Sequence, residues 1–451
     1  MIYDLSKMDE IEVHAISLSC VRSYVYYHES KYYQHITDSF LSQTEGKWTK
    51  AVKWFVSNSA RAVDMNAKGF RISLDDKPYV GNKLGIGFRG VKSLLEWLEK
   101  KGYINIYKGY VIEWKTENGK RVPERTISSI VVLRPRALEM WDKSYVPDLW
   151  REMDEASAVE IRNRETKEEM STKGKVGVKE VRKEMIGYND SLQGADITFR
   201  GEPIADVQYK RVFLDSLHVA GRVYAQGGGV QLLPQHLRSE ELKIDGEPVV
   251  ELDFSAIHPN ICYQLLYSGD GFNVRDAKGE DFSPYGADLS FISVNQKLKE
   301  EIEKQTGKDH NPLRQLAKLA ILIGMNSVDK QSALGAMSSK ILADRKKPKM
   351  EQDFYAITES IPVGKILDAI QEHNDFIGKK FFSDQGVFLQ NIDSKIMMEI
   401  IGTMIQKGHT VLAYHDSCVV KASAENDLKE AMYTGWKEVL GDTTFCKVDK
   451  K

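Results

Sequence analysis

The sequence has only four cysteines in 451 residues, Cys20, Cys262, Cys418 and Cys446, and no CxxC pair among them. That spacing offers neither a zinc-ligand set nor a disulfide framework, so reduced thiols are expected. No apolar run approaches the roughly 20 residues needed to span a bilayer. The opening stretch, MIYDLSKMDEIEVHAISL, lacks a basic start followed by an apolar segment, so no secretory leader is expected. A soluble, cytoplasmic protein with no membrane partner is the resulting expectation. No internal repeat and no low-complexity segment is present. A dominant charge is also missing, because 63 Lys and Arg stand against 65 Asp and Glu, a formal net charge of −2. This excludes a uniformly basic surface but leaves local basic patches open. What remains is ordinary: 42% hydrophobic and 10% aromatic residues, enough for the cores of two or three domains.

The first 150 residues alternate helical and strand-like patterns. Val91, Leu94, Leu95 and Leu98 recur at helical spacing between Gly90 and Lys101, and Gly102 suits the position that ends the helix. Two strand-like runs follow, Tyr103–Trp114 and Thr126–Leu133, joined by a polar tip around Asn118-Gly119. Helix, strand, basic tip and strand is the order of a winged helix, which sets a helix in a DNA groove and the wing against phosphate. A helix-plus-hairpin protein-contact module has the same order. Residues 151–186 are densely charged and read as a solvated helix or linker. Arg151, Arg162, Arg164 and Lys167 in that run are candidates for contact with a nucleic-acid backbone. From about residue 205 apolar strands alternate with helices.

Two carboxylate motifs stand out in this second half. In GEPVVELDFSAIHPNICYQLLY, residues 246–267, Val249, Val250 and Leu252 read as a buried strand with Asp253 at its end. A helix starts near Ala256, with Pro259 tolerated in its first turn. In HTVLAYHDSCVVKAS, residues 409–423, two apolar runs flank His415-Asp416-Ser417, which reads as a hairpin with a carboxylate at its tip. A polar trio there is unfavourable unless it is solvated or holds something. The rival meaning of a His-Asp pair, a metal phosphohydrolase, calls for a helix and further histidines. Between the motifs, NPLRQLAKLAILIGMNSVDKQSALGAM carries Arg314 and Lys318 one helical turn apart on one face. Leu316, Leu319, Ala320 and Ile323 can pack elsewhere on the same helix. Two carboxylates suit hard cations such as Mg2+. Phosphoryl transfer uses two such ions about 3.5–4 Å apart, and two cations on a helix suit a triphosphate. The bland alternative for that helix is an exposed amphipathic surface.

In this order, strand-Asp-helix, Arg-x3-Lys helix and His-Asp-Ser hairpin, the sequence resembles motifs A, B and C of the family A polymerase superfamily. That group includes polymerase I type DNA polymerases and the single-subunit phage and mitochondrial RNA polymerases. The resemblance covers roughly residues 205–425 and is strongest in the hairpin. It implies an α+β, right-hand fold of palm, fingers and thumb. Residues 205–270 and 381–451 would form the palm and 271–380 the fingers. Residues 151–204 would be a charged helical linker or small thumb, behind the winged-helix-like domain of residues 1–150. It further implies Asp253 and Asp416 as ligands of two Mg2+ ions, or Mn2+ in their place, with the Phe254 carbonyl as a further ligand. Arg314 and Lys318 would hold the incoming nucleoside triphosphate. His415 and Ser417 would sit near the primer end. Arg222 and Arg238, in HVAGRVYAQGGGVQLLPQHLR, look like nucleic-acid or nucleotide contacts. Gln390 and Asp393, read as lying just before a helix, resemble a template- or primer-contacting segment; Asp393 serves equally as a helix N-cap. Arg345-Lys346-Lys347-Pro348-Lys349 reads as a template-phosphate contact or a solvated loop.

The sequence departs from the family in two nucleotide-contacting positions. His258 stands where DNA polymerases usually carry a Glu that hinders a ribose 2′-OH, and Asn326-Ser327 replaces a Tyr-Gly pair. Imidazole is bulky enough to act as a gate, which favours deoxynucleotides. Three expectations follow. The first is a magnesium-dependent, template-directed DNA polymerase serving replication or defence of a phage or mobile element. The second is an RNA polymerase or primase that starts chains without a primer. The third is an inactive winged-helix replication initiator.

Overall fold

In the computed structural model the described residues are 3–22, 31–74, 79, 85–117, 120–141, 155–226, 230–306, 309–349, 352–357 and 359–451. The fold mixes α and β and contains two large hydrophobic cores. One draws on residues between 21 and 137, the other on residues from 158 to 446 together with Leu18.

The first core lies on a five-stranded mixed sheet formed by Tyr3–Asp4, Cys20–Arg22, Gly69–Ile72, Ile104–Lys108 and Ser129–Leu133. The helix read from Val91, Leu94, Leu95 and Leu98 spans Phe88–Lys100, and all four side chains are buried. Gly102 follows with φ +79°, the left-handed conformation that ends a helix readily only without a Cβ. Each long strand read from the sequence divides in two. Ile104–Lys108 and Ser129–Leu133 join the sheet, while Tyr110–Glu117 and Lys120–Ile127 form a separate two-stranded ribbon. The Asn118-Gly119 tip and Arg151 lie outside the described residues.

The densely charged run departs from the helix-or-linker expectation. Val159–Arg162 and Glu169–Met170 are strands of a four-stranded sheet with Tyr209–Leu214 and Ser216–Ala225. Alternation explains it: Val159 and Ile161 turn inward while the charged residues between them turn out. Arg162 pairs with Glu160, and Arg164 with Asp384, so both cations are already engaged by carboxylates. A helix does occupy Val178–Leu192.

The second core surrounds a further sheet, in which the strand Glu247–Phe254 is central. Asp245 and Gly246 launch it from a two-residue turn in which both have positive φ (53° and 75°), the conformation favoured in tight hairpins. One edge of this strand pairs antiparallel with Ser417–Lys421 along most of its length. Its other edge pairs with Leu242–Ile244 at the start and Val448–Lys450 at the end. Helices Ile257–Asp270, Gly386–Gln406 and Glu425–Leu440 contribute buried faces to the same core. Residues 271–380 are mainly helical, with Pro312–Asn326 and Lys330–Asp344 in sequence. Among the described residues no helix is long and apolar enough to cross a membrane.

Candidate active site

Strand register brings the two motif aspartates together. Asp253 pairs with Ser417, and Tyr414 pairs with Ser417 across the hairpin, which leaves His415 and Asp416 as its tip. The Phe254 amide N–H points to the Asp416 carbonyl at 3.4 Å. The backbone is strained on both sides of this junction: His415 has φ +61°, and Ala256, just before the Ile257–Asp270 helix, has φ +49°. Non-glycine residues adopt such angles at a cost, and they gather at functional sites.

Both aspartates line a cavity of about 470 Å3, as do Phe254, His258, Arg222 and Gln390. Arg314 and Lys318 line it from the Pro312–Asn326 helix. The register of that helix is fixed at its start, where the Asn311 side chain accepts from the Arg314 amide (3.0 Å) and Pro312 occupies the first turn. Arg314 and Lys318 both lie over the ring of Tyr285, at 5.5 and 5.9 Å from its centre. The cavity therefore gathers the carboxylates Asp253, Asp416 and Asp449 with the cations Arg222, Arg314, Lys318 and Lys451.

The carboxylate pair is electrostatically costly. Burial, then the neighbouring Asp416 charge, raises the Asp253 carboxyl to about 6, with Lys451 opposing. Asp253 Oδ1 is buried and has no hydrogen-bond partner among the described residues. Its Oδ2 accepts from the Lys451 ammonium at 3.1 Å. Across the cavity, loss of hydration and then the adjacent Arg314 lower the Lys318 ammonium below its ordinary value. Burial pushes the Tyr285 hydroxyl up to about 12, so the ring stays neutral behind the two cations.

A second network fixes His258. Arg222 donates to Asp393 through Nε and Nη2, the shortest contact being 2.5 Å, and His258 Nε2 lies 2.9 Å from Asp393 Oδ2. The same Nε2 lies 3.5 Å from Arg222 Nη2, so the three side chains form one cluster. Asp393 is almost fully buried within the Gly386–Gln406 helix. This corrects two expectations: Gln390 and Asp393 lie inside that helix and not before it, and Asp393 is no N-cap. Gln385 holds that position without a side-chain cap, which is why the boundary leaves no signal in the sequence.

Other predicted residues lie elsewhere. Ser417 is buried, and its hydroxyl donates to Glu251 Oε1 (2.7 Å), not into the cavity. Arg238 donates to Glu251 Oε2 (2.6 Å) and stacks on Tyr414, 4.2 Å from its ring centre. Both side chains thus have partners within the fold. Asn326 ends its helix and turns its amide back to the Leu322 carbonyl (2.7 Å). His415 stands at the hairpin tip with its ring edge-on to Tyr224 (5.3 Å), and lost hydration followed by the Arg222 charge lowers its imidazole below the ordinary value. In the basic run, Lys347 pairs with Asp344 (3.1 Å) and Lys349 lies over Tyr355.

The cavity residues Tyr285, Asp449 and Lys451 were among those missed from the sequence. Asp449 faces Asp253 in register across the strand pair. The run CKVDKK around it reads as solvated charge, and only long-range strand pairing reveals its place. Among the described residues no group of three His, Cys, Asp or Glu is arranged to hold a metal ion. The hard oxygens that line the cavity include those of Asp253, Asp416 and Asp449 and of the adjoining backbone. The unpartnered Asp253 Oδ1 and the mutual repulsion of the Asp253 and Asp416 carboxylates fit a cation there.

No family model matches the sequence, and no curated protein matches it. Among solved structures, the chain is similar to the POL domain of Pol1 from M. smegmatis in complex with DNA primer-template and dNTP. The match covers 98% of this chain and 68% of that one, at 11% identity and a TM-score of 0.29. A likeness at that TM-score supports no inference, and the functional reading rests on the geometry of the cavity.

Proposed function

We propose that the protein is a template-directed nucleotidyltransferase that joins nucleotides by two-metal phosphoryl transfer, with deoxynucleotides as the favoured substrate. The observation that carries this reading is that Asp253, Asp416, Arg314 and Lys318 all line one cavity. In this reading the sheet bearing both aspartates is the palm of a right-hand fold, and the helical residues 271–380 are the fingers.

Asp253, Asp416 and the Phe254 carbonyl would hold Mg2+, which supplies Lewis-acid activation and charge neutralisation when bound. Few protein ligands are needed, because Mg2+ in such sites keeps water and takes phosphate oxygens from the substrate. Arg314 and Lys318 neutralise the triphosphate, and the Tyr285 ring behind them limits where their side chains can go. His258, held by Asp393, presents a fixed ring at the cavity wall where it can crowd a ribose 2′-hydroxyl. Arg222 anchors that arrangement, and Gln390 adds an uncharged polar group to the wall. His415 at the hairpin tip would meet the primer end.

The test is incorporation of labelled dNTPs or rNTPs on a template, with and without primer, in Mg2+. Primer-dependent joining of dNTPs is expected. Joining of rNTPs without primer would instead make the protein an RNA polymerase or primase. Absence of any incorporation, with salt-sensitive DNA binding retained, would favour an inactive initiator.

A further inference from the structure

The carboxylate pair already has a cation beside it. Lys451 continues the Val448–Lys450 strand, and its amide N–H donates to the Glu251 carbonyl (3.0 Å). Its ammonium reaches Asp253 Oδ2 at 3.1 Å and Glu251 Oε1 at 3.3 Å. Glu251 and Asp253 are two residues apart on one strand and so share a face. They are unequal hosts. Glu251 also accepts from the Ser417 hydroxyl and from Arg238, so its charge is well compensated without Lys451. Asp253 has only Lys451 on one oxygen and no partner among the described residues on the other.

A divalent cation bound at Asp253 therefore meets an ammonium on the same carboxylate, and the two repel. We propose that Lys451 is a built-in counter-ion of the carboxylate pair, which yields Asp253 to the metal and shifts onto Glu251. The inference rests on the reading of Asp253 and Asp416 as a metal-binding pair. Three features make the shift feasible. The lysine stem is flexible, its side chain is 33% exposed, and the second carboxylate is already within reach. The device holds metal affinity down while the site is empty of nucleotide. A triphosphate arriving with the cation brings negative charge that offsets the lysine, so metal and nucleotide load together.

The test is Mn2+ binding, followed by electron paramagnetic resonance without nucleotide, on wild type, Lys451→Met and Lys451→Arg at one pH. The Met variant is expected to bind Mn2+ roughly tenfold tighter, as removal of a like charge beside a partly solvated ion site implies. The Arg variant, which keeps the charge, is expected to bind like wild type. Equal or weaker binding by the Met variant overturns the inference, as does an Arg variant as tight as the Met variant. Absence of Mn2+ binding in all three proteins overturns both the inference and the metal reading beneath it. Equal binding by wild type and Met variant leaves that reading standing.

Discussion

Asp253 is held at a cost to stability. Its carboxyl is raised from an ordinary 3.8 to about 6 by burial and by Asp416. Between those values the folded protein keeps a proton that the unfolded chain has released, so stability falls as pH rises from about 4 to 6. Above 6 the penalty is present in full. Asp253→Asn removes the charge, so the metal-free variant is expected to melt roughly 2–4 °C higher than wild type at alkaline pH. The gain should shrink as pH falls towards 4. Calorimetry in chelator checks this, and an Asn variant that melts lower at alkaline pH contradicts the account. At this scale the sequence was informative where a residue sits in a local motif: Asp253, Asp416, Arg314 and Lys318 all line one cavity. It gave no sign of Glu251, which belongs to another segment and accepts from both Arg238 and Ser417. Asp449 and Lys451 were invisible for the same reason.

The elements position these residues through tight packing as much as through register. The Pro312–Asn326 helix carries Arg314 and Lys318, and near its end Gly324 packs against the ring of Phe381. A Cβ built at Gly324 would lie 2.7 Å from Phe381 Cδ1, and Phe381 is itself buried. Alanine is the better helix former by about 1 kcal/mol, but overpacking typically costs about 1–3 kcal/mol. Gly324→Ala is therefore expected to destabilise the protein by about 1–2 kcal/mol in urea unfolding. A stabilised variant would show that Phe381 has room to move. Period alone located this helix and the Phe88–Lys100 helix, because each has one apolar face. The Gly386–Gln406 helix was placed too late, because it opens without a capping side chain. The strand content of the charged run was hidden because alternation over so few residues is a weak signal beside so many charges.

At the scale of the whole molecule, specific hydrogen bonds link the two cores. The Ala205 amide donates to the Leu18 carbonyl (2.8 Å), and the buried Arg61 donates to Asp206 (3.1 Å). A formal net charge of −2 conceals a cavity whose charged residues of both signs come from segments far apart in the chain. This is why bulk composition gave no indication of the function proposed above, and why two motifs and the helix between them were needed to see it. The central claim is that Asp253 and Asp416 act as one metal-binding pair in nucleotide transfer. It is tested most directly by incorporation of a labelled nucleotide on a primed template, comparing wild type with Asp253→Asn and Asp416→Asn, each verified as folded by circular dichroism. The account predicts incorporation by wild type in Mg2+ and none detectable in either variant; incorporation at the wild-type rate by either folded variant would contradict it.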